Sequence, residues 1–220
     1  MVTAAGYLVR EQLFVLDSIR LWPAQADFVR QIVYTSAATG NEILMRRFEG
    51  TGFVLTLPPE IEGDERARTS FEEGVRETSR VSGLDVRLGP DGPVRLVIDP
   101  DAFASRPRIC GFTNVWLQGD TVVVRAEIVY PNVETARGLA NRCDRFGLAT
   151  HELGHVLGLQ HVDDPSALMN PIIQATTYSA REEDTVTMMY RYRRPGNAMP
   201  DREVGLAAGD RGLRMETIWN

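Results

Sequence analysis

The sequence is poor in cysteine, in excess positive charge and in long apolar runs. Two cysteines, Cys110 and Cys143, are too few for a disulfide framework. A hydrophobic core must therefore hold the chain together, and 220 residues are enough to bury one. The formal net charge of -6 argues against nucleic acid or an anionic membrane surface as partner, because both attract basic proteins. No apolar stretch reaches the roughly 20 residues that a membrane-spanning helix needs. Residues 1–16 are interrupted by Arg10 and Glu11 and do not read as a signal peptide. Internal repeats and low-complexity tracts are absent as well.

What is present has ordinary globular proportions, 43% hydrophobic and 25% charged. The two cysteines suffice for one bridge, Cys110 to Cys143, worth about 3.5–4 kcal/mol in the chain-entropy model. The alternative is a pair of buried free thiols. A bridge implies an oxidising compartment.

The pattern along the chain alternates between short strands and helices. Phe28, Ile32 and Val33 suggest a helix over 24–38, ended by Thr39-Gly40-Asn41. Phe53-Val54-Leu55-Thr56-Leu57 reads as a strand stopped by Pro58-Pro59. Phe71, Val75, Thr78 and Val81 recur at helical spacing within 62–82, and Gly83 closes that helix. Strands follow at 84–88, 94–98, 112–117 and 121–130. In the last, Val122, Val124, Ala126, Ile128 and Tyr130 alternate onto one face, with Arg125 and Glu127 on a solvated one. A helix over 144–159, a loop over 160–178 and a helix from Ser179 complete the readable part. Ser179 and Glu182 form a capping box for that last helix, whose apolar side carries Val186, Met189 and Tyr190. The expected class is α+β, a mixed twisted sheet packed on helices.

The chemistry lies in His151-Glu152-Leu153-Gly154-His155-Val156-Leu157-Gly158-Leu159-Gln160-His161. On a helix, positions i and i+4 share a face, so His151 and His155 can direct ring nitrogens at one metal. Glu152 directly follows the first ligand, where it borders the metal and can act as general base toward metal-activated water. Gly158 allows a sharp exit from the helix through a left-handed conformation. That exit can return His161 to the metal as third ligand. Three imidazoles leave the open position that catalytic zinc sites keep. All three histidines of the chain fall on ligand positions, which an ordinary amphipathic helix would not bring about.

These residues resemble the extended zinc signature of the metzincin peptidases. Ser166-Ala167-Leu168-Met169-Asn170-Pro171 is similar to that family's methionine turn, with Met169 beneath the metal. Within the family the chain is most similar to matrixin-like enzymes. The resemblance implies a zincin fold, with the sheet packed on an active-site helix and a C-terminal helix, and one catalytic zinc ion. It also implies that 121–130, including Ala126, forms or adjoins the cleft rim where an extended peptide pairs with a sheet edge. Residues 170–173, with Ile172 and Ile173, would line a substrate side-chain pocket. No histidines remain for a second, structural zinc, and no Asp/Asn/Gly-dense loop suggests calcium. Pro107-Arg108-Ile109-Cys110-Gly111 loosely resembles the inhibitory cysteine segment of matrixin propeptides, displaced into the presumed catalytic domain.

The expected organisation is an extension over 1–47 (propeptide or packing segment), a catalytic domain over 48–194 and a tail over 195–220. The expected function is zinc-dependent endopeptidase, acting on peptide or protein substrates with Glu152 as base. Tyr178, Tyr190 and Tyr192 are candidates for oxyanion stabilisation, although packing is their plainer role. A catalytically quiet zinc-containing binding module is the alternative, with Cys110 as the one residue able to close the metal site. The cysteine pair and the resemblance point to an extracellular or periplasmic location. Oligomeric state is not readable.

Overall fold

Apolar β-rich runs separated by turn residues fold here into one mixed sheet, with the helices gathered on the face that buries most. The computed structural model describes residues 27–34, 46–118, 122–138, 147–190 and 213–219. Seven strands are seen among them: β1 (Arg47–Phe48), β2 (Gly52–Thr56), β3 (Asp85–Leu88), β4 (Val94–Ile98), β5 (Phe112–Gln118), β6 (Val122–Tyr130) and β7 (Arg214–Trp219). The order is β3-β2-β4-β6-β5-β7, and β1 pairs with the same edge of β6 as β4 does. Strands β3, β2, β4, β6 and β1 are mutually parallel, whereas β5 runs antiparallel to both β6 and β7. The expected α+β class with a mixed sheet is therefore what forms.

The three longer helices are α1 (Glu65–Ser82), α2 (Leu148–Val156) and α3 (Ala180–Tyr190); α1 and α2 pack against the sheet, and α3 packs against α1. Helix α1 begins at Glu65, three residues inside the predicted 62–82 window, and ends with it at Ser82. Gly63 and Asp64 break the chain after a separate turn at Pro59–Glu62, and the Asp64 side chain caps the new N-terminus by accepting from the Ala67 N–H. Gly83 closes α1 at φ 73°, as its position suggested. The Arg137 guanidinium, hydrogen-bonded to Asp64, holds the Asp64 carboxyl below the usual carboxylate range. Helix α1 covers β3, and α2 covers β5 and β6. Phe71, Leu55, Val94, Ile128, Leu153 and Val156 are among the side chains buried between these layers. A smaller cluster of Phe103, Phe112 and Val129 gathers Val97, Ile109 and Trp219 around it.

Three expectations change. Alternation along β6 breaks at a bulge, where the pairing passes from Trp116↔Arg125 to Leu117↔Val123 and leaves Val124 as the extra residue. Val123, not Val122 or Val124, therefore joins Ala126, Ile128 and Tyr130 in the core. The described part of 24–38 widens into a π-helical turn at Arg30–Tyr34, and Phe28, Ile32 and Val33 are buried in the main core. Within the tail, read as lacking periodicity, Arg214–Trp219 is a sheet strand. Tyr192, Cys143 and residues 144–146 of the predicted helix lie outside the described residues.

Candidate metal centre

Helix α2 and the turn after it carry the three histidines. His151 and His155 stand one helical turn apart and are fully buried. After Val156 the chain leaves the helix through Gly158 at φ 98°, where a Cβ would lie 2.2 Å from the Arg46 carbonyl oxygen. Only glycine fits both that conformation and that approach. The redirected chain is then pinned: Gln160 N–H donates to the Ile32 carbonyl at 2.6 Å, and Asp163 N–H to Gln31 Oε1 at 2.9 Å. His161 is thus held against the helix by the segment at 27–34, a support that periodicity alone could not reveal.

Ring geometry points all three imidazoles inward. His151 Nδ1 lies 2.6 Å from the Leu168 carbonyl, and His155 Nδ1 lies 2.8 Å from the Leu159 carbonyl. A carbonyl can only accept, so in each ring Nδ1 carries the proton and Nε2 presents a lone pair. Such contacts orient metal-ligating imidazoles. The Nε2 atoms of His151 and His161 are 3.3 Å apart, and the candidate ligand atoms of all three rings lie within 4.8 Å of one another. Tetrahedral zinc with bonds of about 2.0–2.1 Å places its ligand nitrogens roughly 3.4 Å apart. The donor set therefore fits zinc. Among the described residues, no fourth His, Cys, Asp or Glu joins the cluster.

Glu152 directly follows His151 on α2 and is itself fully buried. Its Oε2 accepts a 2.5 Å hydrogen bond from Thr113 Oγ1 on β5. Tyr130, at the end of β6, stands beside it. Burial first and the Glu152 charge second raise the phenol well above its ordinary range, so its O–H stays protonated. Among the described residues that hydroxyl has no hydrogen-bond partner. Neither Thr113 nor Tyr130 carries a sequence signal of this role, because strand pairing alone brings them to α2.

Met169 lies fully buried against α2, where a Cβ on Gly154 would meet its sulfur at 2.4 Å. The signature's Gly154 is therefore the space into which the methionine packs. Glu182, read above only as half of a capping box, does more. Its carboxylate accepts from the Leu168, Met169 and Ser179 N–H groups at 3.0, 2.7 and 2.7 Å. Since the Leu168 carbonyl receives His151, this buried carboxylate links α3 to a candidate metal ligand through one residue, Leu168.

Other candidates separate. Ala126 is buried with both backbone edges engaged, by β4 and by β5, so β6 adjoins the rim rather than forming it. The outer edge near Glu152 belongs to β5. Ile173 is buried in the core, whereas Ile172 is 65% exposed, so the two do not face one pocket. Tyr178 donates to the Thr150 carbonyl at 3.2 Å and Tyr190 to the Leu157 carbonyl at 2.6 Å. Both phenols are buried and held protonated by that burial, in packing roles. Arg125 pairs with Glu127 on the solvated face. Cys110 is not a free thiol, which removes it as a thiolate ligand to the metal.

The family model for matrixin matches residues 33–193. A 31-residue stretch is 58% identical to matrix metalloproteinase-16 of Rattus norvegicus, Homo sapiens and Mus musculus, covering 14% of this chain and 5% of each relative. The chain is thus similar to those proteins only over a small fraction of their length, whereas the family model spans well over half of it. With the histidine cluster built on that same stretch of chain, the protein belongs to the matrixin family.

Proposed function

We propose that the protein is a zinc-dependent endopeptidase with His151, His155 and His161 as metal ligands and Glu152 as general base. The observation that carries this reading is the convergence of three imidazoles, two with their tautomers set by carbonyls, beside a buried carboxylate. Zinc bound there would supply Lewis acidity, polarising the scissile carbonyl and acidifying a water. Glu152 takes the water's proton and returns it to the leaving amine. Thr113 holds one carboxylate oxygen through its hydroxyl, which fixes the orientation in which the other works. Met169 and Glu182 keep the floor of the site and His151 in place. The proposed disulfide joins Cys110 to Cys143, and the proposed location is extracellular or periplasmic. Among the described residues, no helix is long and apolar enough to cross a membrane.

Peptide-library cleavage by zinc-loaded protein, with Glu152→Gln as control, tests the reading. Loss of about 10²–10⁴-fold in turnover with zinc retained is the expected result, the range for a lost general base. Cleavage that survives in the variant would remove Glu152 from the mechanism. One observation favours a second reading, a catalytically quiet zinc module: Glu152 and two of the ligands are fully buried. A hydroxamate chelator discriminates, since tight binding requires an open coordination position.

A further inference from the structure

Strand β5 has two edges. Its inner edge pairs with β6, and its outer edge is taken by β7 in antiparallel register, from Phe112↔Trp219 to Leu117↔Arg214. Directly opposed residues of an antiparallel pair share a face. Thr113, Val115 and Leu117 are fully buried there, so their partners Ile218, Glu216 and Arg214 lie on the face that carries α2. Thr113 is the residue bonded to Glu152, and Ile218, 3% exposed, stands directly across from it. Two positions back, Glu216 accepts from the two terminal guanidinium nitrogens of Arg46, at 2.9 and 2.7 Å. Arg46 is 1% exposed, and its carbonyl packs on Gly158, where the chain turns toward His161. On the opposite face Thr217 donates to Asn114, and Trp219 packs on Phe112. The strand is therefore tied to the base, to the metal-side turn and to β5.

An extended peptide binds a protein by adding a strand to an unpaired sheet edge. Strand β6 is paired on both sides, so the edge next to Glu152 is the one that β7 fills. A buried base also has no room for substrate and water together. Of the six residues of β7, Ile218 alone is buried, which makes the strand an element of low local stability.

We propose that Arg214–Trp219 occupies the peptide-binding edge of the catalytic cleft as a built-in ligand, and that substrate enters by displacing it. Its side chains state what the edge takes: an acidic residue, read by Arg46, two positions before an apolar one at Thr113. Once β7 leaves, Arg46 is a cation in a largely buried setting without its carboxylate, which favours an acid-bearing replacement. The inference rests on the peptidase reading for the word substrate, but not for the binding itself.

The probe is a fluorescent peptide, Arg-Met-Glu-Thr-Ile-Trp, added to the zinc-loaded full chain. Glu216→Arg sets two cations against each other and should release β7. The variant should bind the probe at least tenfold more tightly than the unmodified chain and cleave library peptides at least tenfold faster. A probe with lysine for glutamate should bind at least tenfold more weakly. A second pair, Asn114→Cys with Thr217→Cys, joins directly opposed residues, whose Cα atoms are about 4.5–5.5 Å apart in such pairs, within disulfide reach. Oxidation should abolish probe binding and reduction restore it, with the unmodified chain under reductant as control. Failure of the two cysteines to cross-link, or probe binding unaffected by the lock, overturns the inference. Cleavage continuing through the locked pair overturns it while leaving the peptidase reading standing. Lock-sensitive probe binding without cleavage in any form keeps the peptide edge and removes the peptidase.

Discussion

The histidine-bearing segment and the sheet edge formed by β5 and β7 are built by opposite means. In the segment, His151 meets a carbonyl 17 residues away and His155 one 4 residues away, so neighbouring chain sets the rings. At the edge, Asn114 meets Thr217 across 103 residues, and Arg46 meets Glu216 across 170. Local contacts leave a signature at fixed spacing, whereas distant ones can be met by many sequences. The division is incomplete at one point: the turn that delivers His161 depends on the Ile32 carbonyl, far back in the chain.

That exception is where the comparison breaks most easily. Ile32→Ala should destabilise the protein by about 2–5 kcal/mol in urea unfolding, the range for a fully buried side chain truncated to alanine. Zinc affinity should fall with it, because the segment pinning His161 loosens. Full zinc affinity alongside the lost stability would show that the metal segment supports itself. Gly154→Ala sets a local gain against a packing loss. Alanine favours a helix over glycine by about 1 kcal/mol, yet the added carbon meets Met169 sulfur at 2.4 Å. Overpacking of that kind costs about 1–3 kcal/mol, so a net destabilisation is expected. A rise in melting temperature would instead mean that Met169 moves aside freely. The smallest effect belongs to Arg125→Ala. Its pair with Glu127 is half exposed, so stability should change by no more than about 0.5 kcal/mol. A larger loss in thermal unfolding would place Arg125 in an interaction beyond the solvated face.

Legibility follows the same line. The helix of the signature, the exit at Gly158 and the capping box at Ser179 were readable, because each rests on residues within a few positions of one another. Reading β6 as a simple alternation failed at Val124, since a bulge is set by how β5 pairs with it and not by β6 itself. Whether 121–130 forms the rim or only adjoins it stayed open for a related reason: a strand's own sequence does not say which neighbours take its edges. Glu182 showed only its local half, the cap, and not its hold on the turn.

By itself the sequence determined the residue types of the candidate metal site, their spacing on a helix and the alternation of strands and helices. Those follow from the helical repeat, the donor chemistry of histidine and the conformational range of glycine, all properties of short segments. Tertiary structure alone decided which strand lies beside Glu152, that Thr113 bonds its carboxylate while Tyr130 stands nearby, and that Arg214–Trp219 covers the outer edge of β5. Strand pairing and burial depend on contacts between distant parts of the chain, and no short stretch of residues encodes them.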